Sequence, residues 1–65
     1  MKPGDLIRHK DSGDMAIVLR SRMSQATYTE TIYNYIDIVW LDDIHLGFVE
    51  DSAFAGLFEV VSEVR

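Results

Sequence analysis

The residues best suited to chemistry in this chain are two histidines, a scatter of carboxylates and a band of aromatic rings. His45 follows Asp42 and Asp43 closely, and an imidazole beside a carboxylate can move a proton or hold a metal weakly. The same residues also read as a polar hairpin turn followed by the start of a strand. The other histidine, His9, has no partner at a metal-ligand spacing. There is no cysteine, which excludes disulfides and thiolate zinc sites and fits a reducing compartment. No HExxH motif, phosphate-binding loop, GxGxxG or Ser/His/Asp order occurs. The expectation is a protein with no enzymatic activity, no catalytic residues, no metal and no cofactor.

Two other constellations suit binding rather than catalysis. Trp40 with Tyr33, Tyr35, Phe48 and Phe54 could form an aromatic cage or groove. Those rings are also what a small domain uses to fill its core, since aromatic side chains bury the most area. Strand alternation puts Tyr33 and Tyr35 on one face, where they could both be exposed. Arg8, Lys10, Arg20 and Arg22, with His9, fall on two segments expected to pair as a hairpin. Together they could make a basic stripe able to touch phosphates, or simply a solvated face.

Charge weighs against nucleic acid as the general partner. The net charge is −5, whereas phosphate contacts need clustered Lys and Arg. The distribution is uneven. Residues 1–22 carry a net of +2 from five basic and three acidic side chains, and residues 23–65 carry −7 from one basic and eight acidic side chains. Strands from the two halves are expected to interleave and mix these charges; a bipolar surface is the alternative.

These residues must be held by elements that a 65-residue chain can build. That length makes one domain, and a marginal one, since it hides only about 60% of the surface its unfolded form exposes. A small barrel also has little room for a ligand cavity of the usual size, on the order of 300 Å³ or more. Pro3-Gly4-Asp5 is a turn leading into a strand over residues 5–9. Lys10 to Asp14 is a dense turn signal. Met15 to Met23 is a second strand with an apolar centre, and Ser24 to Thr27 a loop or hairpin tip. Tyr28 to Leu41 is rich in β-branched and aromatic residues. It is long for one strand, so a break at Asn34, as a bulge or a hairpin tip, is expected. Ile44 to Val49 follows as a strand interrupted by Gly47. Residues 50–56 read as a turn or one short helical turn stopped by Gly56, and Leu57 to Val61 as the last strand, with a fraying tail from Ser62. The expected fold is all-β: a small five-stranded barrel in one domain, with one short helical turn before the last strand. No apolar run is long enough for a membrane-spanning helix, and no apolar leader follows Met1 to Asp5; the expected location is the cytoplasm.

The opening hairpin, Pro3-Gly4-Asp5-Leu6-Ile7-Arg8-His9 then Ser12-Gly13-Asp14-Met15-Ala16-Ile17-Val18-Leu19, resembles that of SH3-like barrels of the KOW and Tudor kind. Ala16 stands where a KOW motif usually has its second Gly. With Ile38 to Asp42 and the closing Leu57 to Val61, the layout is similar to small proteins of tailed bacteriophages, especially those of marine bacteria. The resemblance implies a fold and carries no activity. Its KOW side makes a nucleic-acid-associated barrel, using Arg8, Lys10, Arg20 and Arg22, the second functional expectation.

The first expectation is a binding or structural module that self-associates or docks on a protein partner. In residues 36–41 both alternating sets, Ile36/Ile38/Trp40 and Val39/Leu41, are apolar. A barrel interior takes only one set, so the other should meet a partner. The residues assigned to that contact are Tyr33, Tyr35, Ile36, Ile38 and Trp40.

Overall fold

The computed structural model describes residues 2–25 and 31–63. It contains β1 (Leu6–His9), β2 (Met15–Gln25), β3 (Ile32–Trp40), β4 (His45–Glu50), α1 (Asp51–Leu57) and β5 (Phe58–Ser62). All strand pairs are antiparallel, in one sheet of order β4-β3-β2-β1-β5. This is the expected five-stranded all-β fold with a short helix before the last strand. The sheet is not closed into a barrel: β4 and β5 end the order on opposite sides. The short α1 lies between those strands in sequence and packs against both.

Local chemistry sets each turn. Gly4 takes φ +91° and donates its N–H to the Val18 carbonyl at 2.7 Å, a conformation open to glycine at little cost. The Asp5 carboxylate accepts from the Lys2 N–H at 2.8 Å, closing the same turn, and is itself 1% exposed. Between β1 and β2, Gly13 takes φ +77° and its N–H bonds the His9 carbonyl at 2.8 Å. The turn from β3 to β4 puts Ile44 at φ +43°, strained backbone for a β-branched residue.

The core is one cluster of Ile7, Ala16, Val18, Ile36, Ile38, Val49, Phe54 and Phe58, with Trp40 packed against it. Every strand and α1 contributes from its inner face. Phe54 is the one buried residue of α1, and its ring stacks on Phe58 at 5.4 Å between centroids. Helix and last strand are thereby pinned to the same core.

Several element limits differ from expectation. β3 runs unbroken through Asn34; the irregularity sits on its partner, where Val18 pairs with Ile38 and Arg20 already with Asp37, leaving Leu19 as the extra residue of a bulge. Ser24 and Gln25 extend β2 rather than forming a loop. Residues 26–30, including the expected strand start at Tyr28, lie outside the described residues, as do the last two of the expected fraying tail. Gly56 does not stop the helix, which continues to Leu57. Ser62 does not fray, because it pairs with Leu6.

Candidate functional site

The Leu19 bulge decides what the outer face of the sheet carries. Before it, even-numbered residues of β2 point inward, as the burial of Ala16 and Val18 records. After it the parity inverts. Arg20 and Arg22 pair with Asp37 and Tyr35 on the outer face, and Ser21 pairs with the buried Ile36. Without the extra residue the two arginines would fall on the opposite side of the sheet, away from Asp37.

On that outer face Asp37 receives both arginines. Arg20 Nε donates to Oδ2 at 2.8 Å, and Arg22 Nε lies 3.0 Å from both Oδ1 and Oδ2. The hydrogen bonds from Arg20 and then Arg22 hold the Asp37 carboxyl below its ordinary value of 3.8. The Arg22 guanidinium continues over the Tyr35 ring at 4.9 Å and reaches the Phe48 ring at 5.8 Å. Tyr33, Tyr35 and Phe48 form a row, with ring centroids 6.4 Å and 5.7 Å apart. Beside the row is an open groove of about 660 Å³, lined by Leu19, Arg20, Arg22, Asp37, Leu46, Gly47 and Phe48. A groove of this size departs from the expected shortage of ligand-sized space, because it is formed on the surface of the open sheet.

Leu46 is 76% and Phe48 66% exposed. Leu46 stands opposite Val39 and Phe48 opposite Asp37 on the outer face of β4. Sequence reasoning placed the excess apolar face on β3, counted Phe48 only among the aromatic residues of a cage or groove, and missed Leu46, although the alternation Leu46, Phe48 against Gly47, Val49 carries the same two-sided signal. Of the residues assigned to a partner contact, Tyr33 and Tyr35 are on the outer face. Ile36 and Ile38 are not available: they are 2% and 1% exposed, because they form the centre of the core. Trp40 is also on the inner side, half-buried between Phe58, His9 and His45. The aromatic residues therefore do not form one cage. Tyr33, Tyr35 and Phe48 face outward, while Trp40 and Phe54 face the core.

The basic residues are likewise divided. Arg8 pairs with Glu59 on β5. Lys10 Nζ donates to the Ala55 carbonyl at 2.7 Å, satisfying the C-terminal end of α1. Arg20 and Arg22 are committed to Asp37, and Arg8 pairs with Met15, about 15 Å along β2 from Arg20 at strand rise. The four do not converge on a stripe. His45 Nδ1 lies 3.9 Å from Asp43 Oδ2, beyond hydrogen-bond reach, and both side chains are exposed. Among the described residues no three His, Asp or Glu side chains are grouped to hold a metal ion, and no helix is long and apolar enough to cross a membrane. Comparison with known proteins finds no matching family model, curated protein or solved structure.

Proposed function

We propose that this chain is a non-catalytic contact module that associates with a second copy, or docks on a protein partner, through the outer face of β3 and β4. The observation that carries this reading is the exposure of Leu46 and Phe48, 76% and 66%, next to Tyr33, Tyr35 and the groove floor. Contiguous apolar surface rimmed by polar groups is the usual mark of an interaction site. Rings fixed against an arginine add area at small entropic cost, as in interface hot spots. The test is light scattering of the purified chain over a wide concentration range, against the double variant Leu46→Asp, Phe48→Asp. The parent should exceed monomer mass at high concentration. The variant should stay monomeric with its thermal transition intact, because both side chains lie outside the core. A parent that stays monomeric at every concentration without an added partner defeats the self-association form.

A further inference from the structure

The two edges of the sheet are not equivalent. An open edge displays unpaired backbone N–H and C=O groups, and proteins guard such edges with charge, proline, bulges or covering elements. β5 is guarded: it carries Glu59, held by Arg8, and its pairing with β1 shifts register between Leu6 and Ile7. β4, His45–Glu50, has no proline, no Lys or Arg, and no carboxylate before its last residue. Its pairing with β3 runs from Tyr35↔Glu50 to Trp40↔His45 without a shift. It presents Leu46 and Phe48 on one side of an edge beyond which, among the described residues, no strand lies.

We infer that β4 pairs antiparallel with β4 of a second copy around a two-fold axis at Gly47, joining two open sheets into one of ten strands. This rests on the self-association reading and specifies its geometry. Cross-strand partners point to the same side of a sheet, so inner residues must meet inner ones. An axis at Gly47 satisfies this, pairs five residues from His45 to Val49, and sets Leu46 opposite Phe48 of the second copy at both ends. An axis at Phe48 would set Leu46 opposite Glu50 instead, an apolar side chain against a carboxylate. An axis at Leu46 shortens the paired segment to three strand residues. Pairing β4 with β5 of another copy would be head-to-tail, which ends either in a closed ring or in a filament rather than in a dimer.

Area fits a modest dimer. The exposed parts of Leu46 and Phe48, each about 150 Å², and the bare backbone edge bring on the order of 800 Å² from two copies together. That is the size of a weak or transient interface, so dissociation is expected in the micromolar range or weaker.

The chain has no cysteine, so introduced thiols report contacts without background. Leu46→Cys and Phe48→Cys are made as single variants, oxidised mildly alone and mixed, with Tyr33→Cys as a comparison. Paired positions put Cβ atoms at disulfide distance, whereas diagonal ones lie about 7–8 Å apart. The mixed 46–48 cross-link should therefore form about tenfold faster than either variant alone, and Tyr33→Cys should cross-link only at background. If light scattering finds a dimer but Tyr33→Cys cross-links and the 46–48 mixture does not, the edge pairing is wrong and face-to-face association stands. If a monomer is seen and no pair cross-links, the edge pairing and the self-association form fall together. If an added peptide strand protects the thiols while the chain alone never cross-links, the edge serves a foreign strand and the dimer is overturned.

Discussion

Asp37 holds two guanidiniums at once, and at the scale of single residues it organises the outer face. Arg22 is directed over Tyr35 and Phe48 because its Nε is tied to this carboxylate. The hydrogen bonds from Arg20 and Arg22 keep the carboxyl below 3.8, so the folded state binds a proton less readily than the unfolded state. The stabilisation is therefore fully present above pH 3.8 and is lost as the pH falls through the lower folded value. Asp37→Asn should lower the thermal midpoint at neutral pH, and the gap to the parent should close in acid well below pH 3.8. A gap that persists unchanged there would mean that packing, not charge, is what Asp37 supplies. Both arginines are more exposed than Asp37, so the effect is of the modest kind that surface ion pairs have.

Among the elements, β4 is held to β3 by its backbone ladder and by a close approach at one position. A Cβ on Gly47 would lie 2.7 Å from Trp40 Nε1 and 3.3 Å from its Cδ1. The indole cannot simply swing aside, since it packs against Phe58 and His45. Gly47→Ala is expected to displace Trp40 and cost about 1–3 kcal/mol as overpacking. Denaturant unfolding gives the cost. The emission of Trp40, the one tryptophan of the chain, reports the displacement. An unchanged spectrum and midpoint would refute the contact. Most elements were legible in sequence, because Gly13 and the residues around it are strong turn signals and residues 31–40 are too β-branched and aromatic for a helix. The limits of β2 and β3 were not. A break at Asn34 was expected because length and an isolated polar residue suggest one. The bulge fell at Leu19, in an apolar run that bears no local mark of it.

At the scale of the whole molecule, topology redistributes charge. The basic first third forms β1 and β2 in the middle of the sheet, flanked by acidic β3, β4 and β5. The ion pairs Arg8–Glu59, Arg20–Asp37 and Arg22–Asp37 each join one half of the sequence to the other. The expected interleaving of charge is what the fold contains, and no concentrated basic patch is left by those arginines. A gel-shift assay with duplex DNA at low ionic strength should give no complex. A complex that weakens steeply with salt would reinstate phosphate contacts. The candidate contact surface was only half legible. Excess apolar strand face could be counted from composition and alternation, but its location could not. The sequence by itself determined the all-β class, the turn positions and the missing residue types, because β-branching, glycine freedom and side-chain chemistry act locally. Only the tertiary structure decided that Ile36 and Ile38 are core, that Arg20 and Arg22 face outward, that β4 is an open edge and that Leu46 and Phe48 are bare. Facing is a collective property: one bulge inverts the parity of everything after it, and which edge stays unpaired depends on strands far apart in the chain.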